Sequence, residues 1–496
     1  MPALLAGIFF TVAAGMSAQP QSIPEMAGAW SGKVSIGPAS LNIVFNFGKD
    51  RDGNLTCTME SPDQGSGLIP ATVDLLTGDS LSVSIPGIGA SYSGHFIRTG
   101  NDGEIVSAEG TLRQSGLAMP LVLKYGKPII FRPQTPVAPF PYRTEEVSFS
   151  SGDAVLSGTL TYPAGYSGEK SMEVPVVLMV TGSGQQNRDE EIFSHKPFLV
   201  LADYLARNGI ASLRYDDRGA GKSTGNPASV TMQSNFEDAM AGVAFLDSLG
   251  CFSMTGILGH SEGGSIALMA GAGGKVDFVI SLAGAAVSGK EILLSQNRTA
   301  LRQAGTPEKV TEDYCAMLGE VLDNRILLHM AGGRDGDAGD GATDAAETEA
   351  SQITQQKAGY IVDSLARNSG SSLPQGALDN LAAVLAQDSP WIDSFISFCP
   401  EKLLPKVHCP VFAANGSLDT QVDATRNLDA LRSGLPENPS SVIKEYPGLN
   451  HLFQHCKTGN PSEYGEIIET ISKEVLRDIA GFLKEIGNVN SSGPNS

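Results

Sequence analysis

Positive charge is scarce in this chain. Its 34 Lys and Arg stand against 54 Asp and Glu over 496 residues, a formal net charge of -20. Nucleic-acid binding depends on clustered cations that displace counterions from phosphate, so the balance argues against that class of partner. Cysteine is sparse as well. Cys57, Cys251, Cys315, Cys399, Cys409 and Cys456 are scattered, with no C-x-x-C pair. No metal site is expected from them, and any disulfide pairing is left open. Long apolar runs are also missing. Beyond the N-terminus none reaches the roughly 18 residues a spanning helix needs, so no stable membrane span is expected.

The one apolar stretch of note is MPALLAGIFFTVAAGMSAQPQS. Its core runs from Ala3 to Ala14, with small residues near Ala18. This is the pattern of a secretory signal peptide over residues 1–20, although the usual positive flank is missing. The protein is accordingly expected in the periplasm or secreted. The competing reading is a buried or anchoring segment.

Glycine is plentiful, at 57 residues, and points to many turns. Residues 23–126 read as all-β. In LNIVFNF, Leu41, Ile43, Phe45 and Phe47 share one face, the period of a half-buried strand. ATVDLL, LSVSI and LVLKY follow, separated by turn signals. A small barrel or sandwich is expected. KPIIFRPQTPVAPFPYR (127–143) holds five prolines and reads as a stiff linker, because proline fixes φ and removes a donor.

From 144 to 488 strands alternate with helices. VPVVLMV is apolar throughout, as in a strand buried on both faces. FLVLADYLARNG and NFEDAMAGVAFLDSLG are helical runs stopped by glycine. GIASLRYDD, TGILGHS, VDFVISLAG and CPVFAANG are strands, and TISKEVLRDIAGFLKEI is a closing helix. This alternation predicts an α/β fold with a mostly parallel sheet flanked by helices. Between VDFVISLAG and CPVFAANG lie roughly 120 residues, where a simple crossover needs about a dozen. Residues 290–406 are read as a helical cap with a mobile loop. Within that loop DGDAGDG imitates a calcium loop, but Gly339, Asp340 and Ala346 occupy the wrong positions, so a solvated loop is expected.

Two serines compete for the chemistry. RGAGKSTG (218–225) looks like a P-loop, but Asp216 stands where its first glycine belongs. It also fits G-x-S-x-G, yet no helix follows and Pro227 interrupts. TGILGHSEGGSIALMAGA instead supplies strand, turn and helix, the parts of a nucleophile elbow, with Ser261 at the turn. A serine hydroxyl needs a base and the base an orienting acid. Asp419 lies just beyond the strand CPVFAANG, and His451 follows a further strand at EYPGLNHLF. The rivals are His455 and His408 for the base, and Asp423 and Asp429 for the acid. The rival acids fall where a helix should begin, as caps do. The oxyanion donors are expected to be the backbone N–H groups of Glu262 and of Ser183, with Gly182 as the neighbouring alternative. Arg188, near that loop, is expected in a surface ion pair rather than against an anionic substrate.

Together TGSGQQNRDE (181–190), LRYDDRGAGKSTG (213–225), GHSEGG (259–264), NGSLD (415–419) and LNH (449–451) resemble the α/β-hydrolase superfamily. More narrowly, they resemble bacterial serine esterases of the EstD-like type. The resemblance implies an α/β-hydrolase fold behind the small β-domain. It implies a triad at Ser261, Asp419 and His451, and it makes Asp216 to Gly225 a structural turn with Ser223 inside it. The sequence departs from the superfamily at Thr181-Gly182, where His-Gly is common. The expected activity is hydrolysis of a small-molecule ester through an acyl-enzyme, with no cofactor. A peptidase or thioesterase on the same triad is the alternative. A third reading is a binding protein whose β-domain meets a glycan or an envelope partner.

Overall fold

The computed structural model describes residues 26–491 except 37–38, 51, 65–67, 100–103, 115, 129, 131, 167–173 and 333–354. The leader expected over 1–20 and the DGDAGDG loop lie outside the described residues. The chain divides into two compact units. The first runs to Pro133 and also takes in residues 191–196 and 461–468; the second holds the rest.

The first unit is a closed barrel of eight strands, each paired antiparallel with the next in sequence. They are β1 (Gly28–Ile36), β2 (Ala39–Lys49), β3 (Leu55–Glu60), β4 (Ile69–Leu76), β5 (Ser80–Ile85), β6 (Ala90–Arg98), β7 (Ile105–Gln114) and β8 (Leu117–Tyr125). Pairing of Trp30 with Tyr125 and of Ser31 with Lys124 closes it. The period-two pattern explains the closure, because alternate side chains must leave water together. Strand β5 buries Leu81, Val83 and Ile85 and leaves the serines between them half-exposed. Trp30, Phe45, Phe47, Tyr92 and Phe96 fill the interior, so the barrel encloses a packed core rather than a ligand chamber.

His195 belongs to this unit and is fully buried. Its Nε2–H donates to the Tyr464 carbonyl at 3.0 Å. Burial first, and then the Arg132 guanidinium, lower its pKa from 6.5 to about 4. Between these values the unfolded chain binds more protons than the folded one. This contribution to stability is therefore complete above pH 6.5 and is lost as pH falls toward 4. Its size is about 3 kcal/mol. Urea unfolding of the wild type is expected to weaken across that window by this amount more than that of His195→Gln. Parallel curves for the two proteins would refute the assignment.

The second unit holds a sheet ordered β16-β15-β14-β13-β11-β12-β10-β9. Strands β9 (Thr144–Ser151) and β10 (Ala154–Thr161) form an antiparallel hairpin, and β10 pairs antiparallel with β12 (Ala211–Tyr215). From β12 onward the pairing is parallel, through β11 (Pro175–Val180), β13 (Met254–His260), β14 (Val279–Leu282), β15 (Val411–Gly416) and β16 (Val442–Tyr446). Strand β11 explains why its run is apolar throughout. Val176, Leu178 and Val180 enter the core on one face, and Val177 and Met179 enter the core on the other.

Helices cover both faces. One carries α1 (Pro197–Arg207) and α10 (Lys473–Ser491) through Phe198, Leu201, Val475 and Ile479. The other carries α2 (Met232–Leu249), α3 (Glu262–Ala272) and α9 (Ala424–Gly434) through Val243, Ile266 and Leu428. Helix α2 starts at a reciprocal cap between Thr231 and Ser234 and stops at Gly250, whose φ of 61° suits glycine.

Between β14 and β15 the described residues form α4 (Gly289–Gln303), α5 (Glu308–Gly332), α6 (Gln355–Ser369), α7 (Gln375–Ala386) and α8 (Pro390–Ile396). They share an apolar core that includes Leu318, Val321, Val362, Leu381 and Phe395. Arg325, on α5, joins this group by ion-pairing with Asp393 at 2.6 Å and donating to the Val384 carbonyl.

Candidate active site

Ser261 sits between the end of β13 and the start of α3. Its φ of 54° and ψ of -119° are unusual for a residue with a side chain. The local sequence forces this turn. A Cβ on Gly259 would lie 1.8 Å from the Gly263 carbonyl oxygen, and one on Gly263 would lie 2.1 Å from the Val180 carbonyl oxygen. Only glycine allows helix and strand to approach so closely, and the approach pushes the serine forward. The Ser261 N–H is held by the Leu282 carbonyl at 2.8 Å.

Asp419 and His451 come together as sequence neighbours could not. The Asp419 carboxylate accepts the His451 Nδ1–H at 2.8 Å through Oδ2. Its Oδ1 takes the N–H groups of Gln421 and Val422, at 2.8 and 2.9 Å. Both side chains are almost fully buried, with 5% of His451 and none of Asp419 exposed, so the pair is shielded from competing water. Asn450 shapes the His451 loop by accepting from the N–H groups of Leu452 and Gln454. The His451 ring lies against that of His260, the residue before Ser261, with centroids 4.7 Å apart.

The rival groups are occupied elsewhere. His455 is exposed and bonded to Glu469. His408 is exposed at the surface. Asp423 caps α9 through the Arg426 N–H, and Asp429 pairs with Arg432.

The loop after β11 is clamped along its length. Thr181 Oγ1–H and the Gln186 N–H donate to Asp217, at 2.8 and 2.9 Å. The Gly182 N–H donates to Glu190 Oε1 at 2.8 Å. A Cβ on Gly182 would meet Ser261 Cβ at 3.2 Å, so the loop runs directly past Ser261. Of the two candidate donors here, Gly182 is thus committed, whereas the exposed Ser183 N–H has no acceptor among the described residues. Glu262 opens α3, where first-turn N–H groups lack helical partners. Its side chain is buried, accepting from Asn235 Nδ2 at 3.0 Å and from Trp391 Nε1 of α8 at 2.6 Å. Burial raises its pKa above the ordinary carboxyl value, outweighing the opposite pull of these two donors.

Arg188 corrects an expectation. It forms no loose surface pair, because only 12% of its side chain is exposed. It donates to Asp216, Glu146, Ser157 and Thr159 at 2.6–3.1 Å. The expectation failed because the chain brings β9, β10 and the end of β12 to one place, and local sequence does not show that. The same cluster explains RGAGKSTG. Asp216 Oδ2 accepts the Lys222 N–H, while Ser223 Oγ–H donates to the Asp216 carbonyl and accepts from the Ser157 N–H. Ser223 therefore pins a turn.

Sequence reasoning overlooked Glu190 and His260. Burial disfavours the charged His260 ring, but Glu190 and the His451 carbonyl outweigh it and leave the pKa above 6.5. The His260 Nδ1 lies 2.9 Å from Glu190 Oε1, and its Nε2 lies 2.9 Å from the His451 carbonyl.

Residues 195–307 match a family model described as serine aminopeptidase, S33. Esterase EstD of Thermotoga maritima is 28% identical over 208 residues, 42% of this chain. The chain spans about half of that relative, 48% of its length. Similar solved structures include a hypothetical protein of Pseudomonas aeruginosa (TM-score 0.41, 16% identity, covering 71% of this chain and 96% of that one). They also include an esterase of Pyrococcus furiosus (TM-score 0.39, 14% identity, covering 73% and 99%). In strand order and in its serine elbow the second unit has the arrangement of an α/β-hydrolase fold, and by the two sequence matches it is similar to the S33 serine aminopeptidase family and to esterase EstD.

Proposed function

We propose that the protein is an exported serine carboxylesterase acting on a small-molecule ester. The observation that carries this reading is the buried Asp419–His451 couple, whose imidazole packs on His260, the residue next to the strained Ser261. With Nδ1–H held by Asp419, the His451 Nε2 is left to take the Ser261 proton as Oγ attacks the ester carbonyl. The Ser261 Oγ–C bond forms while the carbonyl π electrons move to oxygen. The Glu262 and Ser183 N–H groups receive that oxyanion. The proton then passes from His451 to the leaving alcohol, and water attacks the acyl-enzyme by the same route. This chemistry calls for no metal or organic cofactor. The helices of the insertion act as a cap, and α8, anchored on Glu262 through Trp391, forms a wall of the acyl or alcohol pocket. The apolar N-terminal run is the basis for proposing export to the periplasm or beyond.

Peptide or thioester cleavage is the second reading, because the matched family model is described as a serine aminopeptidase and one triad serves all acyl transfer. A glycan or envelope contact through the barrel would have to use its outer face, since the lumen is packed. The test is hydrolysis of p-nitrophenyl esters from acetyl to decanoyl beside a p-nitroanilide. Ester cleavage with little anilide cleavage is expected. An anilide kcat/KM equal to that of the best ester would favour the peptidase.

A further inference from the structure

We propose that Glu190 and His260 form a second acid–histidine couple that positions the first, a role that rests on the serine-hydrolase reading above. Four groups join in one buried chain. The Gly182 N–H donates to Glu190 Oε1, the same oxygen meets His260 Nδ1, and His260 Nε2 meets the His451 carbonyl. A carbonyl only accepts, so Nε2 carries hydrogen, and the Nδ1 proton is shared with the Glu190 carboxylate. Glu190 itself is held at a φ of 52°, a conformation that costs free energy and persists only when its surroundings impose it.

The chain spans the three moving parts of the reaction. At one end it ties back the Gly182 N–H, beside the Ser183 N–H that has no acceptor among the described residues. Its middle is the residue directly before the nucleophile. At the other end it holds the backbone of the base, while the His260 ring limits the swing of the His451 ring, 4.7 Å away at 51°. Neither side chain exchanges a proton with substrate; both are positioning residues. Buried ion pairs are weak sources of stability, so stability alone is a poor account of the arrangement.

The experiment compares wild type, Glu190→Ala, His260→Ala, the double variant and Glu190→Gln on the best p-nitrophenyl ester, with fluorophosphonate labelling of Ser261 alongside. Each alanine variant is expected to lose about 100-fold in kcat, the scale of an ångström-level misplacement. KM should stay within about threefold, because uniform binding is untouched. The double variant should fall no further than the singles, as for residues that act as one unit. Glutamine keeps an acceptor for the Gly182 N–H but loses the charge that faces His260, so it should recover only in part, to about tenfold below wild type. Losses that multiply in the double variant, a defect confined to KM, or kcat unchanged in both singles would overturn the proposal. If the alanine variants do not fold, Glu190→Gln decides alone. A kcat loss at an unchanged melting temperature supports the role, and wild-type kcat refutes it. A wild type that neither cleaves esters nor labels at Ser261 gives a different result, one that overturns the hydrolase reading and the couple's role together.

Discussion

Ser261→Ala is expected to lower kcat by at least about 10⁴-fold and to abolish fluorophosphonate labelling, since only the oxyanion donors and binding would remain. Stability supplies a second, opposite signature. Ser261 occupies φ 54°, and such strain costs about 1 to 3 kcal/mol in a residue with a Cβ. Alanine keeps the Cβ and the strain. Glycine relieves it, at an entropic cost of about 0.5 to 1 kcal/mol. Ser261→Gly is therefore expected to be as inactive as Ser261→Ala yet about 1 kcal/mol more stable than either serine or alanine. Chemical denaturation of the three proteins checks this. A glycine variant less stable than wild type would refute the strain, and an active alanine variant would move the nucleophile elsewhere.

Asp419→Asn should be nearly as damaging. The asparagine Oδ1 can still take the Gln421 and Val422 N–H groups, so the loop keeps its anchor. Its amide now faces His451 Nδ1 with hydrogens, which favours the tautomer protonated at Nε2, and that nitrogen can no longer accept a proton from Ser261. A loss of about 10⁴-fold in kcat is expected, as when an orienting aspartate is lost from a triad. KM should change by less than about threefold. Retention of a tenth of the activity would give the orienting role to another carboxylate. Steady-state kinetics on one ester suffices to read both constants.

Ser261, Asp419 and His451 were legible as candidates because each lies just past a strand that the apolar pattern reveals. Ser261 follows TGILGH, Asp419 follows VFAANG, and His451 lies five residues beyond β16. The glycines around Ser261 carry their own physical signal, since they mark where helix and strand nearly touch. The supporting shell was not legible. Glu190 and His260 are 70 positions apart, and no local period links them. The Trp391 bond to Glu262 crosses 129 positions into the insertion. Arg188 was misjudged for the same reason, because a charged residue in a polar loop reads as solvated until the chain folds four acceptor residues around it. In the first unit, alternation showed the strands, but the choice of barrel over sandwich depended on β1 meeting β8, a pairing between the ends of the domain.

That closing pair has a consequence for recognition. An open sheet offers its last strand as a template on which another chain can extend the hydrogen-bond ladder, whether a peptide ligand or a misassembled copy. With β8 returned to β1, the described strands of the barrel leave no such terminal strand. Whatever meets this domain must read side chains on a curved surface, one residue in two along each strand. Specificity there can change by point substitution without disturbing the backbone ladder beneath.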